Sequence, residues 1–342
     1  MSLKNLSVKT KIPKFLKNKL NNKKIYKIYQ KFKKSLDINE NFAVGVSGGP
    51  DSLALAFLAK IYSLENKLTS KFFIVDHKLR PESRKEAIEV RKILKKGSIT
   101  AEILTWKGKK PIKNIQSIAR KNRYELLFKR CDKFNIHNIL LGHHQDDLFE
   151  NFFIRMLRGS GLKGLISLGK EIVINKKKLL RPLLNQKKES LVYISKNVFN
   201  FYVEDPSNKE KKYKRVRIRN LIEELNKEGL DNKKFLKTIN NLKLSNSVVD
   251  FYVNENLKEN TTYSNKEKKL IINKNFFQQP HEVIFRAFSD SIKLIGKKHY
   301  SVRGKKLDKI IYNIDNHQSL KTTLGGCIIE KMNQTVIISK EQ

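Results

Sequence analysis

The stretch Gly45-Val46-Ser47-Gly48-Gly49-Pro50-Asp51-Ser52 decides the fold. It follows a short apolar run at residues 42–46 and opens a segment with helical spacing from Asp51 onward. Glycines at such a junction let the backbone turn tightly and approach a phosphate, while the first-turn amides and the positive end of the helix dipole supply anion-binding donors. Pro50 suits a first helical position, because its missing N–H would have no intrahelical partner there. The loop is not a Walker A sequence, which needs Lys before Ser or Thr where this chain has Asp51, and it is not a dinucleotide fingerprint. An acid in a phosphate loop makes sense if it holds Mg²⁺, whose charge inverts the local electrostatics.

Outward from this loop the chain alternates apolar runs with amphipathic segments. Strands are expected at 42–46, 72–75, 101–106 and 139–141, and helices at 82–96, 115–134 and 146–157. That alternation predicts an α/β fold, a Rossmann-like, mostly parallel sheet with helices on both faces and ligands at the carboxyl ends of the strands. Residues 172–184 read as a hairpin with Asn175 and Lys176 near its turn. Past 225 the alternation is lost: helices are expected at 233–256, 280–294 and 302–314, then strand-like runs at 322–330 and 335–339. The organisation expected is a basic N-terminal helical extension at 1–40, a nucleotide-binding domain at 41–225, and a smaller, mainly helical α+β region at 226–342.

At 342 residues the chain has the length of about two domains, and 39% apolar residues with only 7 prolines exclude wholesale disorder. The longest apolar run, 53–59, is far below the ~18 residues of a membrane span. A net charge of +39 is the balance of a protein that meets a polyanion. Since 58 of the 72 basic residues are Lys, a general composition bias also feeds that excess. Residues 1–36 carry twelve Lys, no Arg and no acid, with Leu16, Leu20, Ile25, Ile28 and Phe32 at roughly helical spacing, so a basic leading helix is expected. Cys131 and Cys327 form no paired motif, which leaves no disulfide framework or cysteine zinc site and fits a cytoplasmic protein.

A second constellation, Leu141-Gly142-His143-His144-Gln145-Asp146-Asp147-Leu148-Phe149-Glu150, falls where a strand ends and a helix starts. Its acids suit a helix N-terminus by themselves. Five ionisable groups at a crevice edge also fit a two-metal hydrolytic centre, or carboxylate-bound Mg²⁺ beside nucleotide phosphates. Three more segments stand out: Val75-Asp76-His77-Lys78-Leu79-Arg80, Ala119-Arg120-Lys121-Asn122-Arg123-Tyr124, and Asp205-Pro206-Ser207-Asn208 followed by Tyr213-Lys214-Arg215-Val216-Arg217-Ile218-Arg219. Residues 205–219 hold seven basic and two acidic residues, with Tyr213 available to stack on a base.

The Ser-Gly-Gly-x-Asp-Ser loop resembles the pyrophosphatase loop of the ATP-pyrophosphatase superfamily. All the motifs together, in this order, resemble the tRNA(Ile)-lysidine synthase family over about 42–225, and Thr322-Thr323-Leu324-Gly325-Gly326-Cys327 is similar to that family's end region. The resemblance implies that ATP adenylates the C2 oxygen of the wobble cytidine in an isoleucine tRNA with a CAU anticodon. Free lysine then displaces AMP to give lysidine, and decoding changes from AUG to AUA. It further implies that Ser47, Gly48, Gly49, Pro50, Asp51 and Ser52 bind ATP, and that Asp51, Asp146, Asp147 and Glu150 surround Mg²⁺. Asp51, Arg120, His143, Asp147 and Arg215 would act in catalysis, and Lys214, Arg215, Arg217 and Arg219 would contact tRNA. A homodimer is a further expectation.

This chain departs from the family pattern at Lys78, Leu148, Asn151 and Val216, none of which removes a charged residue the chemistry needs. A tRNA thiolase, the nearest rival, needs catalytic cysteines or an iron–sulfur site, whereas Cys131 reads as a buried structural residue. A glutamine-dependent synthetase would need an amidotransferase nucleophile, and none is apparent. From another class, a non-catalytic RNA-binding module is compatible with the charge and differs in lacking ATP turnover.

Overall fold

The computed structural model describes residues 12–108, 114–204, 210, 212–297, 302 and 304–341. It forms two compact units, Met1–Leu230 and Asp231–Gln342. The boundary expected near 225 falls inside a helix that runs to Lys227, which moves the division five residues on. The segment Asp205-Pro206-Ser207-Asn208 lies outside the described residues.

The first unit starts with α1 (Lys14–Leu20) and α2 (Lys23–Ser35). Two helices replace the single one expected, because Asn22 interrupts the run and its side chain accepts from the N–H groups of Lys24 and Ile25 as an N-cap. The pair is no appendage. Leu16, Leu20, Ile25, Ile28, Tyr29 and Phe32 are buried in the unit's main core, each such side chain contributing roughly 2 kcal/mol. Most of the lysines between them face water, which is how so basic a segment still folds.

Then come β1 (Phe42–Val46), α3 (Pro50–Glu65), β2 (Ser70–Asp76), α4 (Ser83–Lys96), β3 (Ala101–Thr105), α5 (Ile115–Asp132), β4 (Asn138–Leu140), α6 (Gln145–Met156) and the short α7 (Leu162–Leu165). The hairpin β5 (Glu171–Ile174) and β6 (Lys177–Leu180) turns at Asn175 and Lys176, both at positive φ as a two-residue type I′ turn requires. α8 (Lys188–Phe199) and α9 (Lys214–Lys227) complete the unit. The strand order is β3-β2-β1-β4-β6-β5, parallel except for β5 against β6.

Side-chain alternation along β1 shows why both faces are covered. Phe42, Val44 and Val46 point into the core shared with α2, α3, α4 and α8, whereas Ala43 joins Leu127, Phe128 and Cys131 of α5. The order of connection reverses between β1 and β4, so the crevice at their carboxyl ends is the topological switch point where such sheets bind ligands.

The second unit comprises α10 (Asn232–Asn260), β7 (Thr261–Ser264), β8 (Lys269–Ile272), a 3₁₀ turn at Lys274–Gln278, α11 (His281–Ile295), α12 (Gly304–Asn316), β9 (Ser319–Leu324), β10 (Cys327–Met332) and β11 (Thr335–Lys340). Its sheet is antiparallel, β7-β8-β11-β10-β9. The expected single strand at 322–330 is a hairpin instead: Gly325 and Gly326 at φ +66° and +78° turn the chain between β9 and β10.

Candidate active site

The phosphate-loop candidate sits after β1, with α3 starting at Pro50. Gly48 has φ +88°, and a Cβ there would lie 2.6 Å from Val90 Cγ2 and 3.1 Å from Val203 Cγ2. Only glycine satisfies both backbone and space. Val203 N–H donates to Gly48 O at 2.9 Å, and Ser195 Oγ of α8 donates to Pro50 O at 2.6 Å, so the loop is clamped from outside. Ser52 Oγ ties it from inside: it accepts from the N–H groups of Ser47 and Gly48, both at 3.1 Å, and donates to Gly49 O at 2.9 Å.

β4 delivers the second constellation beside this loop. A Cβ on Gly142 would approach the backbone of Asp51 and Ser52 to 3.3 Å, so Gly142 lets the two strand ends pack closely. His144 caps α6: its Nδ1 accepts from Asp146 N–H at 3.3 Å, and its own N–H donates to Asp147 Oδ2 at 3.0 Å. The other face of the same imidazole reaches both motifs, with Nε2 3.6 Å from Asp51 Oδ2 and 3.5 Å from Asp147 Oδ2. The sequence nominated His143, yet it is His144 that bridges the two acids.

Burial pushes the Asp51 carboxyl up against the pull of His144 and Lys188, and burial raises Asp146 likewise. Asp147 also feels burial, but His144, His143 and the His144 N–H together hold it below the usual carboxylate range. Burial takes His143 down to about 4, with Asp147 opposing and Arg181, Arg120 and Arg215 assisting. Arg120 and Arg215, exposed on α5 and α9, both act electrostatically on His143. Lys188 at the start of α8 and buried Arg181 after β6 are members that the sequence reading missed; neither belongs to a recognisable pattern.

Glu150, 2% exposed, pairs through Oε1 with Arg219 of α9 at 2.5 Å, while its Oε2 is buried without a protein partner. Arg219 thus has a carboxylate partner within the fold. Among the described residues no three His, Cys, Asp or Glu side chains gather as a ready metal site. Mg²⁺ needs only one or two carboxylates besides phosphate oxygens and water, and Asp51 Oδ1 is a buried acceptor with no protein partner, so these residues fit it.

Comparison with known proteins bears on what this crevice does. A PP-loop domain family matches residues 18–225. The tRNA(Ile)-lysidine synthase of Wolbachia pipientis wMel is 33% identical over 306 residues, spanning 89% of this chain and 71% of the relative. That of Orientia tsutsugamushi (strain Boryong) is 33% identical over 313 residues, with 89% and 70% covered. The chain belongs to the tRNA(Ile)-lysidine synthase family. Membership makes it an ATP-dependent ligase of tRNA processing. Among solved structures, the U34-tRNA thiolase NcsA from Methanococcus maripaludis with its 4Fe–4S cluster superposes with a TM-score of 0.56 at 20% identity, covering 65% of this chain and 80% of that one. The likeness is one of fold. Thiolase chemistry finds no support in this chain, because Cys131 and Cys327 are both buried, lie in different units, and burial pushes the Cys131 thiol up to about 12. No helix among the described residues is long and apolar enough to cross a membrane.

Proposed function

We propose that this chain joins free lysine to C2 of the wobble cytidine in the CAU-anticodon isoleucine tRNA, changing its reading from AUG to AUA. The cytidine C2 oxygen attacks the α-phosphorus of ATP and pyrophosphate leaves. The lysine ε-amine then attacks C2, the C2–O bond breaks, AMP departs with that oxygen, and the amine releases its proton.

The observation that carries this reading is the convergence of the Gly48-Gly49 loop with the Asp51–His144–Asp147 bridge at one switch point, in a chain of this family. Adenylyl transfer is mostly positioning and charge neutralisation. The clamped loop and the start of α3 supply amide donors to the phosphates. Asp51 with Asp147 or Asp146 would hold Mg²⁺, which would supply positive charge beside the nucleotide phosphates. Asp147, kept ionised, attracts an ammonium group; neutral His143 offers a nitrogen to orient the amine. Arg120 and Arg215 would meet the reacting nucleotide and its phosphates. Half-buried Lys214 and exposed Arg215 and Arg217 extend that surface for tRNA, and the lysine-rich second unit adds phosphate contacts with steep salt dependence. Assembly as a homodimer in the cytoplasm belongs to the same reading.

The test is incubation with Mg-ATP, radiolabelled lysine, and either that isoleucine tRNA or the methionine tRNA sharing its anticodon. Label is expected on the isoleucine tRNA alone and is lost with Asp51→Ala. Pyrophosphate release without label would point to another nucleophile. Neither signal would leave the second reading, a basic RNA binder.

A further inference from the structure

Arg181 follows β6 directly. Leu140 and Leu180 are partners across β4 and β6, and Leu141 N–H donates to Leu180 O at 2.8 Å, so Arg181 and His143 leave adjacent strands at the same end of the sheet. The Arg181 side chain is only 5% exposed. Its Nη1 donates to Gly169 O at 2.8 Å, its Nε has no partner, and among the described residues no carboxylate pairs with it. Other buried cations in the chain are treated differently: Arg286 lies against Asp250 and Glu282, and Lys177 against Asp132. A buried guanidinium without a counter-charge is costly, and folding alone gives no reason to keep one.

The neighbours sharpen the question. Arg120 and Tyr124 of α5 are close enough to act on Arg181, and both arginines act on His143, whose Nδ1 is also buried without a partner. This corner is therefore cationic and short of acceptors. Asp147 acts on both His143 and Asp51, but the charges acting on Asp51 are His144, Lys188, Asp147 and Asp146, with neither Arg181 nor Arg120 among them. So deep a group is out of reach of an RNA backbone, and a small oxyanion is the class of partner that suits it. A planar guanidinium with a free edge matches a carboxylate.

Resting on the ligase reading above, we infer that Arg181 is the carboxylate-recognition residue for the amino-acid substrate, holding the α-carboxylate of lysine while the acids after His144 face its ammonium groups. The site would thereby select a zwitterionic amino acid over a plain diamine or an amino-acid amide.

The experiment compares lysine with lysinamide, whose carboxylate is neutralised, as nucleophiles for the full chain with Mg-ATP and the isoleucine tRNA. Losing one charge-assisted contact corresponds to about 10- to 100-fold. The unaltered chain is expected to prefer lysine by that factor in kcat/KM. In Arg181→Gln the KM for lysine rises by the same factor, the KM for ATP stays put, and lysinamide falls far less, so the preference collapses. Arg181→Lys, which keeps the charge and loses the fork, recovers part of it. An unchanged preference overturns the inference. So do equal losses for both nucleophiles, which would mark a structural arginine, and a raised KM for ATP, which would assign the oxyanion to the nucleotide. If the unaltered chain transfers no lysine, the ligase reading itself fails; if it transfers lysine and lysinamide equally, only this inference does.

Discussion

The imidazole of His144 stands 3.6 Å from the Asp51 carboxylate, joining the helix that opens after β1 to the one that opens after β4. Asp51 is nonetheless a strained member of the pair, since burial raises its pKa and one oxygen has no partner. A carboxyl raised in the folded state stabilises only below its unfolded value and loses that contribution as pH rises through the folded one. At neutral pH it is a cost that an amide lacks. Asp51→Asn is therefore expected to raise stability at pH 7.5 by roughly 1 kcal/mol, with no gain below about pH 4. The same change is expected to cut tRNA-dependent pyrophosphate release by about 100-fold or more. Thermal melts at the two pH values, alongside the pyrophosphate assay, check both halves.

Gly48→Ala should fail on two grounds that can be separated. The positive φ is strained for alanine, and the new methyl would meet Val90 Cγ2 at 2.6 Å. Together they predict a loss of about 2–4 kcal/mol and of ATP binding. Adding Val90→Ala relieves the clash and not the backbone, so the double variant should regain part of the stability in urea melts while nucleotide binding stays lost.

The pH dependence of stability should carry a histidine signature on the acid side. Burial takes both His77 and His143 down to about 4, and His77 Nε2 accepts from Arg123 Nε at 3.3 Å, which requires the neutral ring. Between that value and the unfolded 6.5 the unfolded chain binds more protons, so stability present above pH 6.5 drains away as pH falls toward 4. His77→Gln combined with His143→Gln should flatten that slope, by on the order of 1–2 kcal/mol for each site, in denaturant titrations from pH 7 to pH 4.

The sheet, the loop after β1 and the acidic helix start were legible because each rests on local rules. Apolar runs alternate with amphipathic ones, glycine and proline mark the turn, and acids favour a helix N-terminus. What escaped depended on tertiary pairing. Nothing in the spacing of Glu150 and Arg219 says that one will neutralise the other across sixty-nine residues. Arg181 carries no motif, and its meaning comes from being buried without an acid. The choice between His143 and His144 turned on side-chain direction at a helix cap. In the second unit, β7 and β8 are four residues each, too short for periodicity to reveal.

That pairing separates the basic residues of α9 into two kinds, and salt dependence can tell them apart. Arg215 and Arg217 are exposed, whereas Arg219 lies against Glu150, whose side chain is almost wholly buried. Removing an exposed phosphate contact should weaken tRNA binding and reduce the slope of log K against log salt by about one. Arg215→Ala and Arg217→Ala are expected to behave this way while melting normally. Arg219→Ala should leave the slope nearly intact and instead destabilise the fold by about 3–5 kcal/mol, because it strands a buried carboxylate. Adding Glu150→Gln should restore much of that loss. A salt slope that drops for Arg219→Ala as it does for Arg217→Ala, without loss of stability, would return Arg219 to the RNA surface.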